Sequence, residues 1–337
     1  MKKVSVIIPC FNATKWLPKC FLSLAKQTIG IEEIELIFVD DASTDEGKTW
    51  ALLREFERAY PQSVIIVHLE ENMRQGGARN VGIQYAGGEY LAFVDADDFV
   101  AEEWLEQVYS EAARTEADII QFEYYYYTDR IGAVSSGRKI CAEQIYLHSI
   151  EERKQFLMAE KITYGCWNKL YRRTMVMDMG VRYAEHMIYE EPLFVYPLLF
   201  PANSIVIMDK PYYYYRQNNT GTMRYDMENV QTILMHAKVQ KMVWDYMKKT
   251  IFFGNYYEEI KLYFLHTYFY ETLYFAKRRG FEVPMEMYRM LASTVKQEVP
   301  DYTESPYESL IPLQMELYRQ EERGMTKEKL YAYMEKI

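Results

Sequence analysis

Four short runs of apolar, largely β-branched residues recur in the first hundred positions: KVSVIIP (3–9), IELIFVDD (34–41), SVIIVHLE (63–70) and YLAFVDADD (90–98). None keeps the strict apolar–polar alternation of a strand with one wet face, so each reads as a strand buried on both faces. The segments between them have helical spacing. Leu17, Cys20, Phe21 and Leu24 make one face, Trp50, Leu53, Phe56 and Glu57 follow at the same period, and Ala78 to Tyr85 makes a third segment. Strand and helix alternating in this way predict a mostly parallel sheet flanked by helices.

In such sheets ligands bind outside the carboxyl ends of the strands. The four ends here read PCFN, VDDASTD, EENMRQGGARN and DADD, so polar, glycine-containing and acidic groups converge on one edge. The last is the most demanding, because Asp95, Asp97 and Asp98 follow the apolar run Leu91–Val94 at once. Carboxylates this close raise one another's pKa unless a cation sits among them. On that stretch alone a polar turn closing a strand competes with a metal site. Four polar loops on one edge favour a binding crevice.

Further along, ADIIQFEYYYY (117–127) predicts another strand, followed by a less regular stretch to about residue 150. Ser149 with Glu152 three residues on has the form of a capping box at a helix start. The distinctive pieces YGCWNKLYRR (164–173) and MIYEEPLFVYPLLF (187–200) come next, then a strand over 204–217 whose tyrosines read as an edge strand with alternating buried faces. From about 226 the pattern is helical, over 228–249, 256–279, 284–298 with Pro284 in its first turn, 308–322 and 326–336. The segment 256–279 is apolar nearly all round and ends in Lys277, Arg278 and Arg279. That suits a core helix or a contact in a homo-oligomer better than a one-faced membrane or lipid-acceptor surface.

Composition narrows the function classes. A length of 337 residues allows one large domain with an appendage or two domains, and 49% hydrophobic with 26% charged residues is ordinary for a globular chain. The formal net charge of −10 argues against nucleic acid as a partner, which needs a basic face. No apolar run reaches the roughly 18 residues of a membrane span, which leaves only peripheral membrane contact. The opening MKKVSVIIPCFN reads as a first strand and not as a signal peptide, since Pro9, Asn12 and Lys15 interrupt it and no small-residue cleavage site follows. A cytoplasmic location is expected, with the inner face of the membrane as an extension of it. The four cysteines lie far apart without a CxxC pair, so free thiols are expected.

These motifs together resemble the family 2 glycosyltransferases of bacterial polysaccharide synthesis, which have the GT-A fold. VSVIIPCFN is similar to the family's opening strand and LIFVDDASTD to its nucleotide-binding acidic turn. ENMRQGGARNVGIQYAGGEYLAFVDADD is similar to the stretch entering its DxD motif, and CWNKLYRR and YEEPLF to its acceptor-side elements. The resemblance covers residues 1 to about 225: a nucleotide half over 1–100 and an acceptor half over 101–225. Residues 226–337 form a helical region outside it.

The resemblance implies an inverting transferase that moves a sugar from a nucleotide-diphosphate donor, UDP-linked, to a hydroxyl of a glycan or lipid-linked sugar, with Mn²⁺ or Mg²⁺. Hard cations of this kind take carboxylate oxygens and accept one or two protein ligands when phosphates supply the rest. By the resemblance, Asp97 is the metal ligand, Asp95 lies near the ribose or the metal's water shell, and Asp40 accepts the imide N–H of the base. Pro9, Phe11 and Asn12 shape the pocket around the base. Arg79 reaches the base or the diphosphate, or else pairs with Asp95 or Asp97. Arg216 contacts the diphosphate, Thr220 to Thr222 form a lid, and Trp167 stacks on a sugar or packs in the core. Asp98 is expected to cap a helix starting near Ala101, and Asp41, Ser43 and Asp45 a helix over 46–60. Gly76 and Gly77 suggest close backbone approach or positive φ. Glu191 would be the base, with Glu190 its orienting or structural partner, although the family usually has Glu-Asp where this chain has Glu-Glu. Two rivals from other classes are a phosphohydrolase using the Asp cluster and a catalytically silent scaffold.

Overall fold

The computed structural model describes residues 2–138, 140–218 and 230–336. The four amino-terminal runs form β1 (Val4–Cys10), β2 (Ile34–Asp40), β3 (Val64–His68) and β4 (Tyr90–Phe93). They pair in parallel, with β1 between β2 and β4 and β3 outside β2. Helices α1 (Leu17–Ala25), α2 (Lys48–Ala59) and α3 (Arg74–Tyr85) make the crossovers. Phe21 of α1 stacks on Phe56 of α2 at 3.8 Å, and both rings tilt onto Phe38 of β2. Burying each such ring contributes about 1.5–3 kcal/mol, which fixes the two helices on that face. Pro9 is tolerated inside buried β1 because β4 pairs with β1 only as far as Ile7, so the missing N–H lies beyond that ladder.

The chain continues through β5 (Phe99–Val100), α4 (Trp104–Thr115), β6 (Ile119–Thr128), β7 (Gly132–Ser135), β8 (Glu143–Tyr146) and α5 (Ile150–Met158). It then forms β9 (Lys169–Arg172), α6 (Arg173–Met179), α7 (Glu191–Leu198) and β10 (Ser204–Arg216). The sheet order is β3-β2-β1-β4-β9-β6-β10-β5. β9 runs antiparallel to both β4 and β6 and so joins the two halves into one mixed sheet.

The capping box at α5 is present: Glu152 N–H donates to Ser149 Oγ at 3.1 Å and Ser149 N–H to the Glu152 carboxylate at 2.9 Å. Two expectations are corrected. β10 is no edge strand, because it pairs with β6, β5 and β8. Its tyrosines lie in register with those of β6, Tyr213 beside Tyr124 and Tyr215 beside Tyr126. The helix expected near Ala101 begins at Trp104, and Asp98 serves the strands instead of capping it.

Residues 2–156 and 160–218 form one compact unit, and 157–159 with 230–336 form another. The second unit is helical: α8 (Val230–Met247), α9 (Tyr257–Phe264), α10 (Glu271–Arg278), α11 (Met285–Glu298), α12 (Pro312–Glu322) and α13 (Lys327–Lys336). The expected helix over 256–279 is interrupted by a π-helical stretch, Leu265–Tyr270. Its apolar residues are buried inside this unit: Phe264 stacks on Trp244 at 4.8 Å, and Phe269 packs against Tyr288 and Tyr318. No helix among the described residues is long and apolar enough to cross a membrane.

Candidate functional site

The strand ends assemble the site from the sheet outward. Asp40 closes β2 and is buried; its carboxylate accepts Ser43 N–H at 3.2 Å and meets His68 Nδ1 at 2.9 Å. Asp41 accepts Met73 N–H at 2.7 Å, tying the β2 end to the start of α3. Burial raises its pKa, against the hydrogen bonds from Met73 and Arg74. Of the three expected caps of α2, only Asp45 reaches the helix, accepting Thr49 N–H at 3.0 Å. Ser43 Oγ instead accepts Asn12 N–H, while Asn12 and Thr44 exchange hydrogen bonds at 2.8 and 3.1 Å, stitching the β1 loop to the β2 loop. Phe11 beside them is 48% exposed, so its ring is free to meet a ligand. A cleft of about 540 Å³ lined by Leu69, Glu70, Glu71 and Met73 opens at the neighbouring end of β3.

The acidic turn after β4 is built on β10. Buried Asp98 accepts the Tyr213 hydroxyl and Arg216 N–H, each at 2.6 Å. Arg216 Nε donates to the Asp97 carbonyl at 2.7 Å, and its Nη1 pairs with Asp129 at 2.6 Å. Its guanidinium lies 4.1 Å from the Trp16 ring. The arginine therefore braces the turn. Asp97 accepts the Asn218 amide at 2.6 Å, and burial together with Asp95 pushes its pKa up to about 6. The residues Thr220 to Thr222, expected to form a lid, lie outside the described residues.

Arg79 of α3 joins this turn to the chain before α7. Its guanidinium is 1% exposed and pairs with Asp95 and with Glu190, both at 2.6 Å. Of the roles open to Arg79, the ion pair with Asp95 is formed, and Glu190 is a second partner that the sequence does not mark. Asn80 binds the same incoming segment, donating to the Tyr183 carbonyl at 3.0 Å and accepting Tyr183 N–H at 2.8 Å. Gly76 is required by that approach. A Cβ there would collide with the Ala184 carbonyl and crowd Glu190 Cγ at 3.0 Å, so the glycine makes room for the segment 184–190. Tyr189 takes φ 63° just before the carboxylates, a conformation an aromatic residue adopts only when its surroundings enforce it.

Glu191 begins α7 with Pro192 in the first turn. It is half-buried and accepts Cys166 N–H at 3.0 Å. Burial first, then Glu190, push its pKa up to about 7, with Arg79 opposing. Trp167 is partly buried and stacks on Tyr215 at 5.3 Å with a 6° interplanar angle, its edge toward Tyr124. Sequence reasoning did not single out Asn218 or the Cys166 N–H. A backbone donor carries no sequence signal, and Asn218 sits in a loop whose contact with Asp97 depends on the pairing of β10 with β6.

Removing the Arg79 charge leaves the buried Glu190 carboxylate and the part-buried Asp95 carboxylate unpaired. Breaking one partner of a buried pair costs about 3–5 kcal/mol. Arg79→Met is therefore expected to lower the unfolding free energy by about that amount, read by chemical denaturation. Unchanged stability would show that the bridge is not a structural element.

The donor set around the turn is hard: the carboxylate oxygens of Asp95 and Asp97. Among the described residues no three acidic, histidine or cysteine side chains form a metal cluster. Two carboxylates with a raised pKa on one of them suit a divalent cation that draws its remaining ligands from a bound phosphate, so Mg²⁺ or Mn²⁺ fits these residues.

Comparison with known proteins adds an independent line. Residues 5–180 match the family described as glycosyl transferase family 2. The glycosyltransferase GlyG of Streptococcus pneumoniae is 27% identical over 241 residues, spanning 67% of this chain and 74% of that protein. The poly(ribitol-phosphate) beta-N-acetylglucosaminyltransferase TarS of Staphylococcus aureus is 30% identical over 217 residues, 64% of this chain but only 35% of TarS. The crystal structure of S. aureus TarS 1–349 in complex with UDP-GlcNAc superposes with a TM-score of 0.74 at 22% identity, covering 96% of this chain and 93% of that one. The GT-A fold is thus shared.

Proposed function

The chain belongs to glycosyl transferase family 2, and from that premise we propose that it transfers a sugar from a UDP-linked donor to a hydroxyl of a glycan or lipid-linked acceptor, with inversion at the sugar carbon. The observation that carries this reading is the double ion pair of Arg79. One buried guanidinium spans Asp95, beside the candidate cation ligand, and Glu190, beside the candidate base, so both ends of the reaction are held on one rigid link. The solved TarS complex with UDP-GlcNAc supports the choice of UDP.

In this reading Asp97 would hold Mn²⁺ or Mg²⁺, with Asp95 beside it. The cation would neutralise charge on the departing diphosphate as the glycosidic bond breaks. Glu191 takes the proton of the acceptor hydroxyl as that oxygen attacks, on the face of the sugar away from the diphosphate. The Cys166 N–H fixes the direction of its carboxylate. Asp40 accepts the imide N–H of the base, Pro9, Phe11 and Asn12 bound that pocket, Arg216 braces the acidic turn, and Trp167 lies on the acceptor side.

Screening nucleotide-sugars for cation-dependent thermal stabilisation tests the reading, since a ligand at 100 times its Kd adds about 2.7 kcal/mol. Stabilisation by UDP-sugars only when Mn²⁺ or Mg²⁺ is present is expected, and no response to any nucleotide-sugar would overturn it. Asp40→Ala should weaken uridine and UDP by similar factors, because it removes a base contact and no phosphate contact. Calorimetry showing a loss confined to the diphosphate would mean that Asp40 is misassigned.

A further inference from the structure

Lys169 opens β9 with its side chain wholly buried. Its Nζ donates to Thr163 Oγ1 at 3.0 Å, to the Gly165 carbonyl at 2.6 Å and to Asn168 Oδ1 at 2.8 Å. All three partners are uncharged oxygens, whereas a buried lysine ordinarily sits beside a carboxylate. Each can only accept here. The carbonyl and amide oxygens carry no hydrogen, and the Thr163 hydroxyl has its own acceptors in Gln121 Oε1 at 3.0 Å and Asn168 Oδ1 at 3.4 Å. Three acceptors around one nitrogen match the three N–H bonds of an ammonium and offer nothing to the lone pair of a neutral amine. Burial pulls the group down to about 7, with Cys166, Glu191 and Glu123 opposing it and Arg138 adding to it. The three acceptors also favour the charged form.

The caged segment, 163–168, is the one whose Cys166 N–H meets Glu191. It is anchored to β6 as well, Thr163 N–H donating to Gln121 Oε1 at 2.8 Å and the Asn168 amide to the Phe122 carbonyl at 3.1 Å. We propose that Lys169 is a positioning residue for transfer: its ammonium gathers the segment 163–168 so that the Cys166 N–H reaches Glu191, and it supplies positive charge near that carboxylate. The inference rests on the reading of Glu191 as the base. The charge matters because Glu191 also faces the negative Glu190 and Asp95, with Arg79 already shared between those two.

Two variants test it. In Lys169→Met, kcat should fall about 10- to 100-fold, as expected when a reacting group is misplaced, while KM for the donor stays within about twofold. The acidic limb of its pH profile should also move up by about one pH unit, because an opposite charge has left the neighbourhood of the base. Thr163→Val keeps the ammonium and loses one acceptor, so kcat should fall several-fold with the limb in place. Lys169→Met with wild-type kcat and limb, or with kcat reduced only in proportion to its folded fraction, would overturn the inference. If Lys169→Met does not fold, Thr163→Val decides: unchanged kcat overturns the inference, and a fall at constant KM upholds it. Glu191→Gln separates the two readings. Normal transfer by Glu191→Gln removes the base assignment, whereas an inactive Glu191→Gln beside wild-type behaviour in both other variants removes only the role of Lys169.

Discussion

Glu191→Gln is expected to lower sugar transfer at least about 100-fold while UDP-sugar binding stays within a few-fold of wild type. A positioned carboxylate contributes about 10²- to 10⁴-fold to proton removal from an attacking hydroxyl, and glutamine keeps the shape while losing the basicity. The neighbouring Glu190 is committed to Arg79 at 2.6 Å, so it cannot take over the proton without giving up a buried ion pair. Glu191 carries no such partner in its bond to Cys166 N–H. Its raised pKa sets the pH dependence. A base must be ionised, so wild-type kcat/KM should fall as pH drops through about 7 and level off above it. The residual activity of Glu191→Gln should lack that limb. Transfer retained by Glu191→Gln but lost in Glu190→Gln would exchange the two roles.

Asp97→Ala should abolish the cation dependence of UDP binding and weaken that binding by at least about 100-fold at saturating Mn²⁺. A metal bridging phosphates supplies several kcal/mol of charge neutralisation, and each 1.4 kcal/mol is a factor of ten. The fold should survive, because Asp97 is held by the Asn218 amide and not by a buried cation. Asp98 is different: it accepts both the Tyr213 hydroxyl and Arg216 N–H, so its substitution would loosen the pairing of β10. Circular dichroism unchanged in Asp97→Ala, together with weakened UDP, separates a ligand role from a structural one.

β1, β2 and β4 were legible because each is apolar on both faces, as a doubly covered sheet requires. β3 shares the pattern but lies at the sheet's edge, where only Val64 is fully buried and His68 is exposed. The acidic turn was legible because clustered like charge is costly without a purpose, whereas the Glu-Glu pair stood out through the similarity of YEEPLF to an acceptor-side element of the family. β9 was not legible. It has four residues, opens on a lysine and sits between β4 and β6, so nothing local marks Lys169 as buried. The same non-local pairing explains the tyrosine strand, whose run reads as an edge until its partners on both sides are known. Glycine at 76 does mark a close approach, and its contact is the chain leading to Glu190, more than a hundred residues away. Helix 256–279 reads as continuous because the π-helical stretch keeps the apolar character and changes only the hydrogen-bond register.

The central claim is a nucleotide-sugar site that works through a divalent cation at the β4 turn, and titration calorimetry of UDP into the wild-type chain tests it most directly. With Mn²⁺ present, saturable binding is expected, and in excess chelator the affinity should fall by at least about 100-fold. Equal affinity in Mn²⁺ and in chelator would contradict the account.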